Sequence, residues 1–280
     1  MIDVSKCRAD LHIHTCYSDG QATPADIVKK ANHLGYDVIA ITDHDNFGGV
    51  AEAVKTGEAV GLTVLPGIEL ATETEDGIGL HILGYDMDIG HPHFAEVIDE
   101  LAMRRERRNE KLIAVLNDMG YELSLEELQR SQQGGFIGKP VIARALQEKG
   151  YIEDYRQAFR DGRFFGSPQA RAVKKEKLQA ADAIALIREA GGVAVLAHPI
   201  QTRHVGDPGS EEFYDNMRRI IQALKAEGLG GIECYHPDQD EAQTKRFLEI
   251  ARQEGLYVTR GSDFHGLDFA DAEDTAQIVG

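Results

Sequence analysis

Histidines and carboxylates recur in this chain where short apolar runs stop. In order they are His12 and His14 in Ala9-Asp10-Leu11-His12-Ile13-His14, then Asp19, Asp43-His44 after Ile39-Ala40-Ile41, Glu69 after Pro66-Gly67-Ile68, His81 within Leu80-His81-Ile82, and His198 after Val195-Leu196-Ala197. Glu233 and His236 in Ile232-Glu233-Cys234-Tyr235-His236 follow, then Asp263 and His265 in Gly261-Ser262-Asp263-Phe264-His265. Neutral imidazole nitrogen and carboxylate oxygen are ligands for Zn, Mn or Fe, and a carboxylate shared between ions can hold a cluster. His12 and His14, two apart on a strand, project from one face, where buried imidazoles are costly without partners and a cation removes that cost. A single H-x-H is weak evidence; its recurrence with Asp43-His44, Glu69 and Asp263-x-His265 points to a multinuclear metal hydrolase.

The elements that must position these residues alternate. Strands are expected over residues 7–14, 37–42, 63–71, 77–85, 192–197, 231–235 and 257–262, and helices over 25–34, 47–60, 181–190, 211–227 and 241–254. Thr23-Pro24 has the N-cap and first-turn chemistry of a helix start. A strand ending in a ligand is how a (β/α) barrel gathers a site at one mouth. The rhythm changes over residues 95–180, where Phe94, Val97, Ile98, Leu101, Leu112, Val115 and Leu116 make a long helical stripe. A capping box at Ser124 and Glu127 and a helix opened by Pro140 follow it. The expected organisation is therefore a barrel built from 1–94 and 181–280 with an all-helical insertion, a substrate cap, at 95–180.

The 280 residues, 42% of them hydrophobic, suffice for one barrel with an insertion, and the net charge of −17 argues against a general nucleic-acid coat. Residues 95–180 carry 16 Lys and Arg against 14 Asp and Glu, so all of the net negative charge sits elsewhere. A locally basic insertion on an acidic body suits an anionic substrate. Three cysteines without paired spacing, no basic-then-apolar leader and no apolar run of bilayer length indicate a cytoplasmic protein, with no membrane and no stable protein partner inferred.

Asp10-Leu11-His12-Ile13-His14-Thr15, Ser18-Asp19-Gly20, Ile41-Thr42-Asp43-His44-Asp45, Gly67-Ile68-Glu69, Ala197-His198-Pro199 and Gly261-Ser262-Asp263-Phe264-His265 together resemble the motifs of the polymerase-and-histidinol-phosphatase (PHP) family of phosphoesterases. The resemblance runs almost the whole chain in order. It implies a distorted (β/α)7, TIM-like barrel and two or three divalent metal ions. It further implies that His12, His14 and Asp263 hold the first ion, with Glu69 bridging it to a second completed by His81 and His198. Asp19, His44 and His265 would hold a third. The donors include no thiolate, which suits Mn, Fe or Zn. Asp43 would orient a ligand imidazole from behind.

A water bridging two such ions loses a proton near neutral pH and becomes the nucleophile. His236 could serve as a ligand, a phosphate contact or the acid that protonates the leaving oxygen. Arg105 and Arg108 continue the apolar stripe's spacing, Lys139 stands at the start of the next helix, and Arg144 lies one turn on from Pro140. These four are the candidate substrate contacts. The helical insertion resembles the nucleotide-acting branch of the family, but that branch shows Gly-Arg-Pro-His where this chain has Gly138-Lys139-Pro140-Val141; lysine lacks the bidentate fork of arginine. Arg260, before Gly261-Ser262-Asp263, is a second departure. His33, His91, His93 and His204 read as structural. The expected substrate is a small phosphorylated molecule, a nucleotide or sugar phosphate. The alternatives are a ribose cyclic phosphate opened as a diester, a short oligonucleotide cut from its 5′ end, an amide bond on a related metal barrel, and a metal-holding interaction module without activity.

Overall fold

Short apolar strands alternating with amphipathic helices build a sheet that curls almost shut. The computed structural model describes residues 6–131, 134–160 and 162–269. The strands are β1 (Ala9–Ile13), β2 (Val38–Ile41), β3 (Thr63–Glu73), β4 (Gly79–Tyr85), β5 (Leu178–Gln179), β6 (Val193–Leu196), β7 (Gly231–Tyr235) and β8 (Tyr257–Arg260). Seven follow one another in the order β1-β2-β3-β4-β6-β7-β8, and β5 pairs with β3 off this path. The two ends approach each other: Ile13 bridges Phe264, whose carbonyl accepts from His14 N at 2.9 Å. This is the expected distorted seven-stranded barrel. The two-residue β5 lies inside the stretch read from sequence as free of strands.

One strand runs against the rest. β4 is antiparallel to both β3 and β6. The Thr74–Ile78 turn, closed by Thr74 N donating to the Ile78 carbonyl at 2.9 Å, is too short for a parallel crossover.

Helices α1 (Pro24–His33), α2 (Val50–Val60), α8 (Ala180–Glu189), α9 (Glu211–Ala226) and α10 (Glu241–Glu254) connect the strands. The caps are encoded locally. Thr23 accepts from Asp26 N ahead of Pro24, Gly61 closes α2 in the left-handed conformation, and Asp240 with Gln243 forms a capping box on α10. Phe47, read as helical, precedes α2 and packs against Phe94 instead. Fully buried Ile68, Leu70, Ile82, Leu196 and Ile232 pack with Phe213 and Phe247, each such side chain stabilising by about 1.5–3 kcal/mol.

Between β4 and β5 lie α3 (Pro92–Asp118), α4 (Leu125–Ser131), α5 (Lys139–Glu148), α6 (Gln157–Arg160) and α7 (Pro168–Ala172). α3 begins at Pro92, so His91 is its N-cap and His93 lies in its first turn. At 1.5 Å per residue, its 27 residues span about 40 Å. Phe94, Ile98 and Leu101 join the barrel-side core. Leu112, Ile113 and Leu116 join a second apolar cluster with Ile142, Leu146 and Phe164. Among the described residues, no helix is long and apolar enough to cross a membrane.

Candidate metal centre

His12 and His14 lie on and just after β1, both wholly buried, with ring centroids 5.1 Å apart. His44 follows β2, Glu69 lies within β3, and His198, His236 and Asp263 follow β6, β7 and β8. His81 does not end a strand. It is the third residue of β4, because a reversed strand presents its N-terminal end to the mouth. His198 (φ 23°), Asp263 (φ 52°) and Asp45 (φ 45°) hold the left-handed backbone that non-glycine residues rarely adopt, so the mouth stores local strain.

Glu69 is the hub. Its Oε2 lies 2.7 Å from His44 Nδ1 and 3.4 Å from both His12 Nε2 and His14 Nε2, and its Oε1 lies 2.8 Å from His81 Nδ1 and 2.9 Å from His198 Nε2. Asp263 Oδ1 sits 3.1 Å from His14 Nε2 and 3.5 Å from His12 Nε2. Asp19 Oδ1 sits 3.1 Å from His265 Nε2 and 3.8 Å from His44 Nε2. Four ligand-like groups result: His12, His14 and Asp263; His14, Asp19, His44 and His265; His12, Glu69 and His198; and His44, Glu69 and His81. All nine residues expected as ligands fall in them. His14 joins the Asp19 group, and His81 and His198 fall in separate groups, although His81 Nδ1 lies 3.2 Å from His198 Nε2 and both flank Glu69 Oε1.

Hydrogen bonds on the far side of each ring show what the near side needs. His12 Nδ1 is 3.0 Å from Glu233 Oε1, an acceptor, so Nδ1 carries the proton. The Nε2 lone pair then faces the oxygens of Glu69 and Asp263. Ser18 Oγ donates to Asp43 at 2.5 Å and lies 3.4 Å from His14 Nδ1, so it accepts from that ring and again leaves the Nε2 lone pair facing carboxylates. His12 Nε2, His14 Nε2, Asp19 Oδ1 and Glu69 Oε2 are buried without a hydrogen-bond partner. Lone pairs aimed at anionic oxygens in a buried space fit cations.

Without a cation, protons take its place in part. Burial opposes charge on His12, but Glu233, Glu69 and Asp263 outweigh it and hold the ring well above its usual range. Burial likewise opposes charge on His44, yet Glu69 and Asp19 lift it to about 10. Burial with neighbouring His265 and His44 pushes His14 down to about 3. Burial favours protonated carboxyls, but the surrounding imidazoles hold Asp19, Glu69 and Asp263 below the ordinary carboxylate range. Protons alone thus leave the cage unevenly charged.

Glu233 escaped the sequence reading of roles. Besides His12, it accepts from His198 N at 2.7 Å, fixing two candidate ligands at once. Asp10 is similar: its Oδ1 accepts from Ser262 N at 3.0 Å and His12 N at 3.3 Å, which ties β1 to the loop of Asp263. An acid within a buried strand that is otherwise apolar but for His12 was the available signal for both. Gly261 is required by packing, since a Cβ there would stand 2.1 Å from His12 Cβ and 2.6 Å from Glu233 Oε1. Among the described residues no hydrogen bond joins the Asp43 carboxylate to the His44 ring. The carboxylate accepts from Thr15 N and Thr15 Oγ1, both at 2.7 Å, and reaches His14 through Ser18. Burial, with Asp43 and Glu52, pushes the Cys16 thiol up to about 11, which leaves it a protonated, poor nucleophile.

His236 is buried, and its Nδ1 accepts from Asp238 N at 3.1 Å. Its neutral ring therefore carries the proton on Nε2, which points toward Asp263 Oδ2 at 3.6 Å. Arg105 and Arg108 are 9% and 8% exposed, deep for guanidinium groups. Arg105 lies over the Phe136 ring at 4.0 Å and 3.8 Å from Asp45 Oδ2, which also binds Lys175 Nζ at 2.6 Å. Arg108 Nε and Nη1 are buried without a hydrogen-bond partner, and burial and Arg105 draw its pKa down to about 10. Burial and Arg108 lower Lys139 as well. Arg144 donates to the Asp19 carbonyl at 2.8 Å, so it braces the loop of a candidate ligand. Arg260 packs over Tyr235 at 4.7 Å.

The PHP domain model matches residues 10–234. The chain is 33% identical to a phosphoribosyl 1,2-cyclic phosphate 1,2-diphosphodiesterase of Eggerthella lenta, over 92% of this chain and 94% of that one. It is 30% identical to a 5′-3′ exoribonuclease of Haemophilus influenzae, over 91% and 89%. Its fold matches the crystal structure of a Bifidobacterium adolescentis protein assigned as a metal-dependent phosphoesterase, with a TM-score of 0.81, 30% identity and coverage of 97% and 95%.

Proposed function

The chain belongs to the PHP family of metal-dependent phosphoesterases, and from that premise we propose that it hydrolyses a small phosphorylated substrate, a nucleotide or sugar phosphate, at the cage around Glu69. The observation that carries this reading is the set of buried imidazole lone pairs facing carboxylates. His12, His14 and Asp263 would hold one divalent ion, Glu69 with His81 and His198 a second, and Asp19, His44 and His265 a third, with Mn, Fe or Zn suited to these donors. Bound there, the ions supply an activated water and neutralise charge on the phosphoryl oxygens.

The protein's own groups divide the remaining work. Glu233 keeps His12 in one tautomer, and Asp43 with Ser18 does the same for His14. Arg105, Arg108 and Lys139, in the helical segment proposed to cap the mouth, present donors to phosphoryl oxygens. The His236 Nε2–H is held for the leaving oxygen. The sparse cysteines support the cytoplasm as the working compartment.

A second reading, opening of a ribose cyclic phosphodiester, is favoured by the Eggerthella relative's activity and by Lys139-Pro140-Val141. Hydrolysis of a panel of nucleotides, sugar phosphates and cyclic phosphates with Mn2+ separates the two. Glu69→Ala should abolish turnover of every member, and undiminished turnover in that variant refutes the site.

A further inference from the structure

Asp45 stands between the metal cage and the helical segment and is tied to both. Toward the cage it follows the candidate ligand His44; its N–H donates to the Glu69 carbonyl at 2.9 Å, and its Oδ1 accepts from Ala71 N of β3 at 3.0 Å. Toward the helical segment its Oδ2 accepts from Lys175 Nζ at 2.6 Å and lies 3.8 Å from Arg105 Nη1. Arg105 belongs to α3 and Lys175 to the return just before β5, so one oxygen meets the segment both where it leaves the barrel and where it comes back. Asp45 is 1% exposed. Burial opposes its charge, but Lys175, the Ala71 N–H and Arg105 outweigh that and hold the carboxyl below the ordinary range, so it is an anion at neutral pH. The same charge reaches Arg108, and it reaches Lys177, which Glu73 also faces. The two contacts on Oδ2 differ in kind. Lys175 is hydrogen-bonded, whereas 3.8 Å is too long for a hydrogen bond from Arg105. The Arg105 guanidinium rests on the Phe136 ring, and its buried Nη1 has no hydrogen-bond partner.

We propose that Asp45 is a positioning residue, whose charge holds Arg105 at a standoff beside the cage with Nη1 free for a phosphoryl oxygen. Lys175 is the spacer of this device: it occupies Oδ2 and so keeps Arg105 from closing onto the carboxylate as a full ion pair. Without the Asp45 charge, Arg105, Arg108 and Lys175 repel one another and Arg105 leaves its place. Without Lys175, Arg105 collapses onto Asp45 and its donors are spent there. The inference rests on the phosphoesterase reading for the anion that Arg105 meets. It carries a sign that separates it from a plain counter-charge. By Coulomb's law alone a carboxylate beside an anion site weakens anion binding, so its removal tightens binding. A positioning carboxylate does the reverse.

The test is calorimetric titration of inorganic phosphate into the Mn2+-saturated wild type, Asp45→Asn, Lys175→Met and the double variant, with manganese content checked by elemental analysis. Asp45→Asn keeps an oxygen for Ala71 N but carries no charge. It should weaken phosphate binding by about 10-fold, the size of one displaced charge-assisted contact. In the Lys175→Met background the same substitution frees Arg105 from the carboxylate, so phosphate binding should stay level or tighten. Unchanged or tighter binding by the single variant makes Asp45 a bystander charge and overturns the proposal. Equal weakening in both backgrounds marks a general lesion of the site and overturns it as well. Should Asp45→Asn fail to fold or to hold manganese, a cycle between Arg105→Ala and Lys175→Met decides instead. Loss of Lys175 should cost at least about threefold more affinity with Arg105 present than without it, and additive losses overturn the proposal. A wild type that binds no phosphate removes the phosphoesterase reading together with the inference, whereas wild-type binding that ignores Asp45→Asn removes the inference alone.

Discussion

Glu233→Gln changes one heavy atom of a wholly buried side chain and should weaken metal binding at the site that contains His12. In the native protein both carboxylate oxygens accept, Oε1 from His12 Nδ1 at 3.0 Å and Oε2 from the His198 backbone N–H at 2.7 Å. An amide has one acceptor. If it faces His198 N–H, its NH2 group faces His12 Nδ1, and the ring must move its proton to Nε2, toward Glu69 and Asp263. If it faces His12, the NH2 group opposes a buried backbone N–H, and His198 is pushed from its place. Loss of such an outer hydrogen bond typically weakens metal binding by about 10- to 100-fold, or about 1.4–2.7 kcal/mol. Chelator-treated wild type and variant, titrated calorimetrically with Mn2+, should differ by that factor at the site containing His12. The group of His14, Asp19, His44 and His265 should retain its affinity. Equal affinities at every site, with the fold intact by circular dichroism, would refute the tautomer argument.

Asp45→Ala should destabilise the metal-loaded protein by about 3 kcal/mol, the lower end of the range for breaking a buried ion pair because Lys175 is 31% exposed; urea unfolding checks it. Gly261→Ala should cost about 1–3 kcal/mol in the same assay and lower metal content, since the new methyl meets His12 and Glu233. Without metal, His12 is held well above its usual range and His44 near about 10, so both keep protons at neutral pH and uptake must expel them. Mn2+ affinity should therefore rise between about pH 6 and about pH 8, with proton release visible as a dependence of binding heat on buffer; a flat profile contradicts the assignment.

Strand tips that end in ligands were legible because burial and ligation both act locally: Asp43-His44 and Ala197-His198-Pro199 interrupt apolar runs that neighbouring strands must cover. Arg105 and Arg108 were legible for a related reason, since their spacing continues the apolar stripe of α3, and both are buried as that spacing predicts. The reversal of β4 was less visible. Its signal was the tight turn Glu75-Asp76-Gly77, which joins only antiparallel strands. Glu233 and Asp10 could not be given roles because their partners are fixed by closure rather than by spacing; Glu233 reaches His12 across 221 positions of chain. Arg260 looked like a departure from the family beside Asp263, but it packs over Tyr235.

α3 has its first turns rooted among the barrel-side residues and its last turns among the helices between β4 and β5, with no proline or glycine after Pro92 to act as a joint. A beam fixed at both ends resists rotation. If this segment caps the mouth as proposed, the opening would be set by the stiffness of a single rod, and admission would become a question of gauge: narrow molecules would enter a frame that does not swing to meet them, and broader ones would be turned away at the rim.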